Sequence, residues 1–172
     1  MRAGSASRSA MGSALLRAAH VREDTPPWAL EDTMSARLLT AGESRPLEAT
    51  LATWPPEVHA AVRVEHSVRT RLAEDVAVEG LAEERCDSVL LGAGLDTFAW
   101  RHPLADRFTA WELDHPNTQA WKRSALARAG LAEKPNLRFA PIDLATTPLA
   151  SLTTPARATW SWLRVTMRVR HL

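Results

Sequence analysis

Cysteine is nearly absent: Cys86 is the only one among 172 residues. A lone thiol excludes an intrachain disulfide and any multi-cysteine metal site, and it makes a reducing, cytoplasmic compartment the default expectation. No apolar run approaches the 18 residues of a transmembrane helix, so no membrane partner is expected. The histidines His20, His59, His66, His102, His115 and His171 show no HExxH-type spacing. They read as surface or capping residues, and no metal is expected. Internal repeats are lacking, and low complexity is confined to the first ten residues, MRAGSASRSA.

A body of one charge sign is also missing. The net charge is +1, but Arg2, Arg8 and Arg17 stand in an acid-free stretch 1–20, and Arg164, Arg168 and Arg170 in an acid-free stretch 164–172. The body between them is net acidic. Nucleic-acid recognition wants a basic face on the folded domain, so no nucleic-acid partner is expected.

What is present is ordinary globular composition, 45% hydrophobic and 24% charged, in a chain of single-domain length that can bury a core without staples. Ser13 to Val21 reads as a short helix and Trp28 to Ala41 as a second, with Leu30, Met34, Leu38 and Ala41 at helical spacing and Gly42 as a stop. Residues 43–56 carry three prolines and read as a loop or short helix. Glu57 to about Glu84 reads as a long helix opened by Pro56. The pattern then changes. Ser88–Gly92, Arg107–Asp114, Leu137–Asp143 and Thr159–Val165 read as strands, with a helix over Pro116–Ala129 ended by Gly130. Strands alternating with helical connections predict an α/β domain with a mainly parallel sheet.

The turn after the first strand is Gly92-Ala93-Gly94-Leu95-Asp96-Thr97. Two glycines allow a tight turn and close approach to a ligand, although ordinary strand-to-helix turns use them too. Thr97 occupies the place of the third glycine of a dinucleotide fingerprint, which disfavours a nicotinamide-dependent oxidoreductase. Asp96 puts a carboxylate beside the loop, which would repel a pyrophosphate and attract an ammonium or sulfonium. S-adenosylmethionine carries both cations and no phosphate. Asp114 lies 22 residues beyond Gly92, about where a Rossmann-type site holds ribose hydroxyls; it equally suits a cap on the following helix. Alternation puts Glu112 on the same face or at the same lip. Asp143 and Leu144 end the third strand. There an acid can accept from an adenine amino group while the next N–H donates to a ring nitrogen, or the aspartate can serve its own turn.

VLLGAGLDTFAWR (89–101) followed by WELDHPNTQAWK (111–122) resembles the leucine carboxyl methyltransferase-like family of S-adenosylmethionine-dependent methyltransferases, nearest the bacterial O-methyltransferases of actinobacterial type. SVRTR (67–71), SALLRAAHVRED (13–24) and SWLRVTM (161–167) extend the resemblance over about residues 12–167. It implies a Rossmann-like class I methyltransferase sheet with an N-terminal helical cap, divided as a flexible tail 1–11, a cap 12–86 and a sheet domain 87–172. It implies that Arg69 pairs with the carboxylate of S-adenosylmethionine, where a guanidinium fork meets two oxygens at once. Gly92 and Gly94 would line the methionine portion, Asp114 would hold the ribose, and Asp143 with Leu144 would meet the adenine. The implied reaction is methylation of a carboxylate or hydroxyl on a small molecule by direct displacement, with no nucleophilic side chain.

The end of the chain departs from the resemblance, which leads to glycine at Arg164 and tyrosine at Arg168. After Met167 the sequence reads RVRHL. The C-terminal part of the sheet is therefore expected to be missing, with an open edge at the fourth strand and doubtful turnover. A non-catalytic fragment that binds S-adenosylmethionine is the alternative from another class.

Overall fold

A computed structural model describes residues 7–81, 87–148 and 158–161. Helices come first: α1 (Arg8–Glu23), α2 (Ser35–Leu38), α3 (Ala41–Leu51) and the 26-residue α4 (Pro56–Leu81). The sheet follows, with β1 (Asp87–Leu91), α5 (Phe98–Arg101), a 3-10 turn (Ala105–Arg107), β2 (Thr109–Asp114), α6 (Pro116–Arg128), β3 (Leu137–Pro141) and β4 (Ala158–Ser161).

All four strands are parallel, in the order β3-β2-β1-β4. Parallel neighbours need crossover connections, and α6 supplies the one between β2 and β3. The order 3-2-1-4 is the first half of a doubly wound sheet. Its strand order reverses at β1, so a ligand crevice belongs beyond the carboxyl end of that strand. This is the expected Rossmann-like architecture with a helical N-terminal part. Val89, at 0% exposure, and Ala110 and Leu113 put apolar faces of β1 and β2 into the core.

Two expectations from helical periodicity change. α1 begins at Arg8 rather than Ser13, so residues 8–11 of the stretch read as tail are helical. The helix expected over Trp28–Ala41 shrinks to Ser35–Leu38. Asp32 is the cause. Its carboxylate accepts from the Ser35 N–H at 2.9 Å and the Ser35 hydroxyl at 2.6 Å, a local alternative to the helical ladder. Leu30 and Leu38 are still buried, so the apolar spacing reports burial correctly without a continuous helix. Thr40 then opens α3: Glu43 Oε2 accepts from its N–H at 2.8 Å and its hydroxyl at 2.7 Å. The strand expected over Thr159–Val165 is described only to Ser161, and the remainder, like Cys86, lies outside the described residues.

A buried charge cluster ties the helices to the sheet. Arg17 is 1% exposed. It donates to Asp32 Oδ2 at 2.8 Å, to the Ser35 hydroxyl at 2.9 Å and to the Leu95 carbonyl at 2.7 Å. Burial alone would raise the Asp32 carboxyl, but Arg17, Ser35 and Arg101 together hold it far below the usual carboxylate range. Arg101 also pairs with Glu74 of α4. α1 lies against α4, and Arg63 bridges them by donating to Asp24 at 2.6 and 2.8 Å and to Glu23 at 2.7 Å. On its outer face α4 exposes Val58, Val64, Val68, Leu72 and Val76. Among the described residues, no helix is long and apolar enough to cross a membrane.

Candidate functional site

The carboxyl ends of β1 and β2 are locked together. Gly92 and Ala93 donate their N–H groups to the Leu113 carbonyl at 2.7 and 3.2 Å. Gly94 donates to Asp114 Oδ2 at 2.5 Å, and His115 to Asp114 Oδ1 at 2.6 Å. Gly92 and Gly94 have φ of 64° and 54°, the left-handed region that a side chain disfavours. At Gly94 a Cβ would also stand 3.2 Å from the Ala10 Cβ of α1. Glycine there answers both the turn and the close passage of α1.

A cavity of about 740 Å³ opens at this lip, within the range of small-molecule sites. Arg69, Gly92, Gly94, Asp114 and Leu144 all line it. Five of the six residues singled out in the sequence therefore meet around one hollow. Asp143 is not among the lining residues. Its Oδ1 accepts the Ala145 N–H at 3.0 Å and its carbonyl accepts from Thr146 and Thr147, so its side chain serves its own turn while Leu144 and Ala145 face the cavity.

Two other acids differ from expectation. Asp96 is 3% exposed and accepts the Phe98 N–H at 2.7 Å. It lies near enough to Arg101 to favour that cation, so it braces the turn into α5 and is not among the residues lining the cavity. Glu112 is 2% exposed and accepts from Lys122 Nζ at 2.5 Å. A carboxylate buried beside an ammonium is a structural pair, so Glu112 does not share the lip with Asp114. His115 caps α6, its Nδ1 accepting from the Asn117 N–H at 3.1 Å. Trp100 donates to the Ala132 carbonyl and lies under Lys122, which is a packing role.

The remaining walls come from the helices. α1 supplies Ser9, Ala10, Gly12, Ser13 and Leu16; Leu51 and Trp54 close another side. α4 supplies Val62, His66, Arg69 and Thr70. These four follow helical spacing, so the signal for His66 was available in the sequence: it shares the helix face of Arg69. Arg69 is 40% exposed at its side chain and donates through Nη1 to Glu65 at 3.1 Å. No groups of His, Cys, Asp and Glu able to hold a metal ion occur among the described residues.

The polar groups suit a ligand that has a carboxylate at one end and hydroxyls at the other. Each oxygen of Asp114 takes one backbone N–H and retains a second lone pair. Among the described residues Arg69 donates to Glu65 through Nη1, which leaves further guanidinium N–H groups.

Comparison with known proteins points the same way. A Mycolicibacterium gilvum (strain PYR-GCK) protein named "Putative S-adenosyl-L-methionine-dependent methyltransferase" is 34% identical over 136 residues, which is 78% of this chain and 51% of that protein. The Bacillus subtilis (strain 168) protein YktD, of the same designation, is 47% identical over 60 residues, 34% of this chain and 20% of its own length. Rv1729c of Mycobacterium tuberculosis (strain ATCC 25618 / H37Rv), also so designated, is 32% identical over 95 residues, 55% of this chain and 30% of its own. The chain thus spans about half the length of the M. gilvum protein. The sequence model of the family "Leucine carboxyl methyltransferase" matches residues 10–166, a span that runs from the wall of α1 through the glycine turn and beyond β4. With that match covering both the helices and the sheet that enclose the cavity, the chain belongs to the leucine carboxyl methyltransferase family.

Proposed function

We propose that this chain binds S-adenosylmethionine in the cavity at the β1–β2 lip and serves methyl transfer to a carboxylate or hydroxyl of a small molecule, in a cytoplasmic setting. The observation that carries the reading is the convergence of Arg69, Gly92, Gly94, Asp114 and Leu144 on one cavity of about 740 Å³. Arg69 holds the methionine carboxylate through its uncommitted N–H groups. The glycine turn lets the backbone come close to the methionine portion. Asp114 accepts from the ribose hydroxyls with its remaining lone pairs. Leu144 borders the adenine end, and Asp143 fixes the turn that presents it.

Bound S-adenosylmethionine supplies an electrophilic methyl on a sulfonium sulfur. The protein's own contribution is positional: it holds the donor, borders it with the apolar side chains of Leu16, Leu51, Trp54 and Val62, and leaves an oxygen nucleophile free to align. No side-chain nucleophile is required.

Calorimetric titration of the full chain with S-adenosylmethionine tests this. Saturable binding is expected, and Arg69→Ala and Asp114→Ala should each weaken it about tenfold or more, the loss of one charge-assisted hydrogen bond. Circular dichroism controls for folding. Absence of binding by the parent chain, or unchanged affinity in both variants, overturns the assignment. Label transferred from methyl-tritiated S-adenosylmethionine to a panel of carboxylic acids and phenols then reads the reaction itself.

A further inference from the structure

Asp96, the acid that the sequence sets beside the glycine turn, is buried against the Phe98 N–H and is not among the residues lining the cavity. His66 offers another acceptor at this wall. It lines the cavity on α4, one turn before Arg69 and Thr70. Its Nδ1 lies 2.9 Å from the Val62 carbonyl and 2.9 Å from Glu65 Oε2. Both of these atoms only accept, so Nδ1 carries the ring proton. The neutral ring then has an unprotonated Nε2, a hydrogen-bond acceptor that no described residue uses.

From this juxtaposition we infer that His66 Nε2 accepts a hydrogen bond from the α-ammonium of the bound amino-acid moiety while Arg69 takes its carboxylate. The inference rests on the nucleoside reading above and deepens it. Residues three apart on a helix have Cβ atoms about 5–6 Å apart, so both side chains can reach the two ends of one α-amino acid. A neutral acceptor also suits a cationic ligand: a charged imidazolium would repel both its ammonium and its sulfonium.

The surroundings keep the ring neutral. Burial disfavours the imidazolium most, and the charges of Arg69 and of Arg17 from α1 add to this; the Val62 carbonyl and Glu65 oppose it without prevailing. Asp114 is the charged group that the β2 lip brings to the same cavity. The net direction is below the usual histidine range, so the acceptor form dominates at neutral pH.

The test uses two uncharged-sulfur nucleosides, S-adenosylhomocysteine, which has the amino-acid moiety, and 5′-methylthioadenosine, which lacks it. Affinities of the full chain for each are measured calorimetrically between pH 7.5 and 5. S-adenosylhomocysteine is expected to weaken about threefold or more toward pH 5 as Nε2 protonates, while methylthioadenosine stays level. His66→Leu should bind S-adenosylhomocysteine more weakly at pH 7.5 and lose the slope. His66→Gln, whose amide oxygen can accept, should recover affinity at pH 7.5 without the slope. If His66→Leu keeps the parent's affinity and pH profile, the assignment to His66 is wrong and the nucleoside site stands. If the parent chain binds neither nucleoside, both readings fall together.

Discussion

Gly94 and Asp114, twenty residues apart, are joined by a 2.5 Å hydrogen bond from backbone N–H to carboxylate. The turn after β1 and the tip of β2 are therefore tied into one lip. Asp114 is at once the brace of the glycine turn and the acceptor proposed for the ribose, so the fold and the site share a single side chain.

Gly94→Ala probes the other side of that turn. The new Cβ sits at a φ of 54° and 3.2 Å from the Ala10 Cβ. The left-handed conformation costs about 1–2 kcal/mol, and the helix must shift away as well. We expect a fall in melting temperature of about 2–8 °C, with weaker nucleoside binding, read by calorimetry and thermal unfolding. Unchanged stability and affinity would show that α1 and the turn yield freely.

Arg17→Met removes the main partner of a carboxylate with 0% exposure. An uncompensated buried charge costs about 3–5 kcal/mol, measured as a lowered urea midpoint. Arg17→Met combined with Asp32→Leu should recover a large part of that loss, because it removes the orphaned charge. A double variant no better than the single would contradict the pairing.

Acid should weaken the junction between α1 and α4. Chiefly through the Arg63 hydrogen bond, which outweighs burial and is aided by His20, Asp24 is lowered from its ordinary 3.8 to about 2. A carboxyl depressed in the folded state stabilises above its unfolded value. That contribution, about 1 kcal/mol once solvent screening at this partly exposed carboxyl is allowed for, drains away as pH falls from roughly 4 toward 2. Asp32, depressed in the same direction, acts with the same sign. Arg63→Met should flatten the loss over that window, followed by denaturant unfolding at successive pH values; an equally steep loss would assign the acid sensitivity elsewhere.

The strands were legible because their signals are local. VLLG is an apolar run closed by a glycine turn and WELD an alternating stretch closed by an acid, and the parallel sheet follows from their alternation with helices. Asp114 was legible by its distance from Gly92, and Arg69 only by resemblance, since a helix arginine among three has no local mark. The helix over Trp28–Ala41 was misread because Asp32 turns its carboxylate onto the Ser35 N–H and hydroxyl, a side-chain contact that apolar periodicity does not register. Asp96 was misread for a related reason: its position beside the loop was right, but its side chain turns to the Phe98 N–H. His66 was overlooked although its spacing from Arg69 was visible, because neither its burial nor its Nδ1 partners can be read from one helix face.

The Arg17 bond to the Leu95 carbonyl spans 78 positions and makes the first helix a tenon in the turn that follows β1. A substitution on the hidden side of that helix that shifts the tenon would tilt the socket, and the proposed cofactor grip would change with no alteration in the glycine turn itself.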